Sequence, residues 1–193
     1  MKNSKNILLL LLGLLFPTLL LAQTKYEKEY RIESDEVPEK AYQFIHSADA
    51  DFSEKWYFEE NLEGNSIEAK FKYNREKYSV EFDTTGNLLD IEVESPFKDL
   101  PENLQASIQN SLQHRYSKFT IRKMQVQYSG KIDSFADFIA TSDKAKQYTI
   151  YYELVVKGRK NREWNLYEMT YNNRGELEKT EQIILRNTDN LEF

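Results

Sequence analysis

Hydrophobic and polar residues alternate along much of the chain, in short runs that end at polar or glycine-containing turns. In the run Ser66–Tyr73, for example, Ile67, Ala69 and Phe71 alternate with charged residues. Successive side chains of a β-strand point to opposite faces, so this alternation predicts strands with one buried and one solvated face. The pattern predicts eight strands, at Trp56–Asn61, Ser66–Tyr73, Lys77–Asp83, Leu88–Val93, Arg122–Tyr128, Tyr148–Lys157, Glu163–Asn172 and Glu176–Leu185, and a further short strand at Tyr30–Ile32.

Two segments have helical spacing instead. Pro38 and Pro101 fall in the first turn of these segments, where proline is tolerated, and Ser34, Asp35 or Asp99 can serve as N-caps. Each helix has one apolar stripe that is predicted to pack on a sheet. The stripes are formed by Val37, Ala41, Phe44 and Ile45 in the first helix and by Leu100, Leu104, Ile108 and Leu112 in the second.

The chain repeats itself. Lys77–Glu92 aligns without gaps on Leu166–Glu181, and each copy consists of a strand, a turn and a second strand. Gly86 and Gly175 lie where a hairpin turn requires positive φ. A duplicated unit of this kind indicates one sheet built twice.

These patterns predict an α+β fold of two tandem α-β4 units, 23–95 and 96–193, which form an antiparallel sheet with the helices packed on one face. The second unit is about 26 residues longer, mainly through an insertion at 129–147. The insertion contains Ile132, Phe135, Phe138 and Ile139 at helix-like spacing. It is interpreted as a short helix that covers a sheet edge or, alternatively, as a loop that contacts a partner.

The first 22 residues have the pattern of a signal peptide. Lys2 and Lys5 form a basic region, Ile7–Leu21 is apolar, and Ala22 is a small residue at the expected cleavage position. The apolar run is shorter than the roughly 20 residues that cross a bilayer as a helix. We therefore predict a periplasmic or secreted protein with no stable membrane anchor after cleavage.

Composition and net charge limit the classes of partner that the protein is expected to bind. The chain has no cysteine, so disulfides cannot stabilise it and a substantial core is expected. Without Lys2 and Lys5, 24 basic side chains face 32 acidic ones, a net charge of −8. This charge argues against nucleic acid and would suit a protein partner with a basic patch.

A helix with an apolar-Pro start, a strand carrying Trp56 and the hairpin Tyr78-x-Val80-x-Phe82-Asp83-x-x-Gly86-x-Leu88 together resemble the PepSY-like family of exported Bacteroidetes proteins, also described as β-lactamase-inhibitor-like. The second copy of the hairpin is Tyr167-x-Met169-x-Tyr171-Asn172-x-x-Gly175-x-Leu177. The resemblance implies a saddle-shaped sheet with helices on one face and a concave face free to bind, and it implies no catalytic residues. The insertion at 129–147 departs from the family pattern.

Familiar catalytic patterns are missing from the sequence. No cysteine nucleophile, P-loop, dinucleotide fingerprint or nucleophile elbow occurs, and His46 and His114 belong to different units. The acidic segment 49–54 has Glu54 where a calcium loop needs glycine. Carboxylate pairs such as Asp90 and Glu92 are interpreted as a solvated sheet rim. We therefore predict no catalytic residues, no metal site and no cofactor, and expect that the protein is not an enzyme.

The candidate partner-binding residues are Tyr151, Val155, Trp164 and Leu166, on the less polar outer face of the second unit. Either the insertion folds over this face, or the face is an exposed interaction site in which Tyr and Trp are favoured anchors. The predicted function is a non-enzymatic exported binding module, a protein-binding or inhibitor-like domain of the cell envelope. The alternatives are a small-ligand-binding envelope protein and a carboxylate-dependent hydrolase.

Overall fold

The structure is a computed structural model that describes residues 23–25, 27–48, 50–61 and 64–184. The predicted signal peptide lies outside the described residues. The four α-helices are α1 (Glu39–Ile45), α2 (Glu102–Arg115), α3 (Phe135–Ala140) and α4 (Lys144–Gln147). The ten strands are β1 (Gln23–Lys25), β2 (Glu27–Ile32), β3 (Lys55–Asn61), β4 (Gly64–Tyr73), β5 (Glu76–Asp83), β6 (Leu88–Glu94), β7 (Lys118–Ser129), β8 (Thr149–Lys160), β9 (Glu163–Asn172) and β10 (Leu177–Ile183).

All ten strands belong to one sheet. From β2 to β10, each strand pairs antiparallel with the next strand along the chain, which makes a nine-stranded meander. The remaining strand, β1, pairs in parallel with β10. The sheet runs without interruption through the predicted unit boundary at 95/96, because β6 pairs directly with β7.

The sheet closes on itself at the N-terminus. A single residue separates β1 from β2, yet β1 pairs with β10 and β2 pairs with β3, at the opposite end of the strand order. Since an extended chain covers at most about 3.6 Å per residue, Lys25 and Glu27 lie within about 7 Å of each other. This short step joins the two ends of the sheet and gives it an inner and an outer face.

The predicted fold class is wrong. The chain is not an α+β assembly of two α-β4 units with helices packed on their sheet; it is mostly a single antiparallel sheet with four short helices among the described residues. Two features account for the difference. A well-formed strand, β2, precedes α1 and continues the meander, and the inserted segment adds α3 and α4.

The buried apolar side chains of the sheet lie on its outer face, in two separate clusters. The first contains Ala41, Phe44 and Ile45 of α1 together with side chains of β2 to β6. The second contains Leu104, Ile108 and Leu112 of α2 together with side chains of β7 to β9. The far sides of both helices are exposed, so neither helix is enclosed by the sheet. The polar side chains of the strands therefore occupy the inner face.

The insertion packs against the first half of the molecule. Ile132, Phe135 and Phe138 are buried in the cluster that contains α1, and the ring of Phe135 lies 5.1 Å from that of Phe71 and 5.4 Å from that of Tyr78. Ser134 caps α3, since its Oγ accepts a hydrogen bond from the backbone N–H of Asp137. The inserted segment thus contributes to the core of the outer face.

The repeated glycines place each hairpin against a helix. Gly86 has φ +83° and Gly175 has φ +74°, a region that L side chains rarely adopt. A Cβ on Gly86 would lie 3.0 Å from the backbone nitrogen of Ala41 in α1, and one on Gly175 would lie 2.9 Å from Cβ of Ser107 in α2. The duplication therefore conserves a helix–turn contact as well as a turn.

Gly158 in β8 provides a test of the second cluster. A Cβ at this position would lie 2.6 Å from Cδ1 of the buried Tyr116 ring. We expect Gly158→Ala to lower the free energy of unfolding by about 1–3 kcal/mol, because the ring must move out of a packed position. Urea denaturation measures the loss. In a Tyr116→Leu background the cost of Gly158→Ala should shrink, and an unchanged cost would contradict this contact.

Candidate functional site

The inner face carries a row of polar side chains, one from each of five neighbouring strands. Tyr57 of β3 is paired with Glu68 of β4, Glu68 with Glu81 of β5, and Glu81 with Asp90 of β6. The row continues to β7, where Nε2 of Gln127 donates a hydrogen bond to Oδ2 of Asp90 over 3.0 Å. Three carboxyl groups thus stand side by side across three strands.

A second row runs beside the first. Ser79 of β5 is paired with Glu92 of β6, and Nε2 of Gln125 in β7 donates a hydrogen bond to Oε2 of Glu92 over 2.7 Å. The hydroxyl of Ser79 donates a short hydrogen bond to Glu68. The two rows therefore interlock through Ser79 and Glu68.

Crowding of carboxyl groups changes their protonation. Burial, followed by the charges of Glu81, Glu153 and Glu68, raises the pKa of Asp90 to about 8. Burial and the charge of Asp90 also raise the pKa of Glu92 well above its usual range. The Oδ1 atom of Asp90 is buried and has no hydrogen-bond partner among the described residues. Asp90 therefore keeps its proton up to neutral pH, and the pKa of Glu92 is shifted in the same direction.

Glu68 behaves in the opposite way. Burial alone would raise its pKa, but the charge of Lys70 and hydrogen bonds from neighbouring side chains outweigh burial, so the pKa lies below its usual range. Nζ of Lys70 lies 2.8 Å from Oε2 of Glu68 and 3.0 Å from Oε2 of Glu29. Carboxyl oxygens of Glu29, Glu59 and Glu68 all lie within 4.8 Å of one another. Among the residues that the structure describes, these three form a group that could hold a metal ion.

The four predicted partner-binding residues lie on the inner face of β8 and β9. In the register of these strands, Leu166 is opposite Lys157 and Trp164 is opposite Arg159. Val155 is therefore the diagonal neighbour of Leu166. Tyr151 is four residues from Val155, about 13 Å along the strand, and is opposite Gln127 and Asn172. The structure thus brings Val155, Leu166 and Trp164 together and places Tyr151 further along the same face.

These side chains remain partly accessible. Trp164 is 44% exposed, and Val155, Leu166 and Tyr151 are half-buried. Nζ of Lys157 lies 5.6 Å from the centre of the Trp164 ring. The buried side chains of the insertion belong to the cluster on the outer face, so the insertion does not cover this surface.

Neither histidine belongs to the inner face. Nε2 of His46 lies 3.0 Å from Oε1 of Glu54, and its ring packs against that of Tyr42, outside the sheet. His114 is exposed on α2. The two histidines lie on different helical segments, as their sequence positions suggest.

The sequence interpretation did not identify the carboxyl rows. It treated Asp90 and Glu92 as a solvated rim, whereas the structure encloses both on the inner face. The available signal was the polar positions of three successive strands, where Glu68, Glu81 and Asp90 each occupy an alternate site. Register between strands was needed to bring them together.

Among the described residues, no helix is long and apolar enough to cross a membrane. No protein-family model matches the chain. No curated protein matches it either. The resemblance to the PepSY-like family therefore remains a prediction that rests on the hairpin and helix residues given above.

Proposed function

We propose that the protein is a non-enzymatic exported binding module that holds a basic segment of a protein partner on the inner face of β8 and β9. The observation that carries this proposal is the accessible group of Trp164, Leu166 and Val155, which the insertion leaves uncovered. Aromatic and aliphatic side chains of this kind are typical anchors of protein interfaces.

Charged side chains of both signs surround this group, since Lys157 and Arg159 are opposite Leu166 and Trp164. The carboxyl groups beside Val155 and the negative net charge of the chain favour a basic partner. Glu168 is opposite Val155 in the register, and Glu153 lies two residues before Val155 on the same face. A lysine or arginine of the partner would donate charge-assisted hydrogen bonds to such carboxyl groups. The closure of the sheet restricts the partner to a loop or tail, because a flat protein surface cannot reach an inner face.

The test is a comparison of two aromatic variants. We expect Trp164→Ala to weaken partner binding about tenfold or more, as expected for loss of a central aromatic anchor. Tyr42→Ala is the matched control, since Tyr42 is an exposed aromatic side chain on α1, outside the sheet. Both variants are used as bait in an envelope fraction, and the captured proteins are compared by mass spectrometry.

A partner that is lost with Trp164→Ala and kept with Tyr42→Ala supports the proposal, and its affinity should fall with added salt. Tyr151→Ala then tests whether the contact extends along β8. Equal capture by wild type and Trp164→Ala would reject the assignment of the surface.

Binding of a small cationic ligand is the second candidate function. The closure of the ten-stranded sheet favours it, because closed sheets of similar size can hold one small ligand inside. If a polyamine binds without any partner protein present, and its binding is weakened by Trp164→Ala, this candidate is favoured over the first.

A further inference from the structure

The inner face of the first half holds three carboxylates in a geometry that suits a metal ion. Glu29, Glu59 and Glu68 come from the adjacent strands β2, β3 and β4, and Glu29 is directly opposite Glu59 in the register. Their carboxyl oxygens lie within 4.8 Å of one another. Since Ca²⁺–oxygen bonds measure about 2.3–2.6 Å, one ion can contact oxygens that are up to about 5 Å apart.

A fourth oxygen supports the same site. Ser66 is opposite Glu59 and two residues from Glu68, so its Oγ lies on the same face as the carboxylates. Ser66 is only 2% exposed, and its Oγ has no hydrogen-bond partner among the described residues. A buried hydroxyl without a partner is unfavourable, and a ligand at this position would relieve that cost.

From these two observations we propose that Glu29, Glu59, Glu68 and Ser66 form a binding site for a divalent cation of the calcium type. Water reaching the inner face completes the coordination shell, which for calcium contains six to eight oxygens. The site is distinct from the proposed partner surface, which lies on β8 and β9.

The charge balance of the cluster fits a divalent ion. Lys70 is the cation bound there, with Nζ 2.8 Å from Glu68, 3.0 Å from Glu29 and 4.8 Å from the centre of the Tyr57 ring. With all three carboxyl groups ionised, they and the ammonium carry two negative charges; without the ion, a side-chain hydrogen bond joins Glu59 to Glu68. The flexible lysine stem allows the ammonium group to move towards solvent when a metal ion enters.

Calorimetric titration with CaCl₂ tests the proposal. The full chain is expressed, and the purified protein is freed of metal ions before the titration. We expect one saturable site with a Kd of about 0.1–1 mM, the range of weak calcium modules. Glu59→Gln should weaken binding about tenfold or more, and Ser66→Ala several-fold. Lys70→Met should tighten binding, because the competing ammonium is removed.

Glu153→Gln is the matched control, since it removes a carboxylate from the inner face of the second half. An unchanged affinity in this variant, with circular dichroism showing that every variant is folded, supports the site. Absence of saturable binding up to about 10 mM CaCl₂ would overturn the proposal. Equal weakening by Glu59→Gln and Glu153→Gln would also overturn it, by showing diffuse attraction of cations. Partner capture through Trp164 is scored separately and does not depend on either result.

Discussion

Phe135→Ala is expected to lower the free energy of unfolding by about 3–5 kcal/mol, the usual cost of removing a fully buried phenylalanine ring. The Phe135 side chain has no exposed surface. Its ring meets those of Phe52, Phe71, Tyr73 and Tyr78 edge-on, at centre distances of 5.9, 5.1, 6.1 and 5.4 Å. An alanine would leave a cavity beside the rings of Phe71, Tyr73 and Tyr78, which are held by strands and cannot collapse around it.

Urea denaturation followed by circular dichroism measures this loss. Lys131→Ala is the control, since the Lys131 side chain is 87% exposed and lies in the same insertion. We expect the control to change stability by less than about 0.5 kcal/mol. If the two variants were equally stable, the insertion would not be part of the core.

Phe135 also shows which features of the fold the sequence can predict. Helical spacing in the insertion correctly indicates a packed helix, α3, since Phe135 and Phe138 are buried. The sequence does not show which part of the molecule they pack against, because spacing describes one face of one element and carries no information about its partner. The insertion lies between strands of the second half in the chain, yet the ring of Phe135 meets rings of the first half, while that of Phe138 packs on Tyr128 and Tyr148.

The error in fold class has a similar origin. Alternation at Tyr30–Ile32 indicated a short strand, and β2 is that strand, extended to Glu27. Its role depends on long-range pairing: β2 lies against β3 while β1, one residue away, pairs with β10. A repeat in the sequence predicts two equal units, and it cannot reveal that a segment outside the repeat joins their ends.

For the predicted site residues, the sequence indicated the face of the sheet on which they lie. Period-two alternation places Tyr151 and Val155 on one face of β8 and Trp164 and Leu166 on one face of β9, and the structure places all four on the same side of the sheet. Whether they bind a partner stays a prediction. The carboxyl clusters were beyond reach, because Glu29, Glu59 and Glu68 come from three strands whose register the sequence does not specify.

Asp90→Asn is expected to stabilise the protein, and the gain should increase with pH. The pKa of Asp90 is raised from 3.8 to about 8, chiefly by burial and then by Glu81, Glu153 and Glu68. The folded chain therefore holds this proton more tightly than the unfolded chain does. Stability conferred by the protonated group is complete below about pH 4 and is lost as the pH rises towards 8.

Asparagine keeps the shape of the protonated acid and can still accept the hydrogen bond from Gln127, but it cannot ionise. Asp90 is half-buried, so solvent screening reduces the penalty that the full shift would imply. We expect a gain of about 2–4 kcal/mol at pH 9 and almost none at pH 4. For a chain of this length, that gain corresponds to a rise in Tm of roughly 5–15 °C.

Thermal unfolding of the wild type and Asp90→Asn at pH 4, 7 and 9 measures the effect, with Asp133→Asn as the control because the Asp133 side chain is 71% exposed. A gain that is equal at all three pH values would show that ionisation of Asp90 is not its source. A loss of stability at pH 9 would show that the ionised carboxylate is favoured in the folded state. If the protein were a carboxylate-dependent hydrolase, Asp90→Asn would give a more stable protein that has lost turnover. The reason is that an acid of raised pKa beside Glu81 is the group that such chemistry would use.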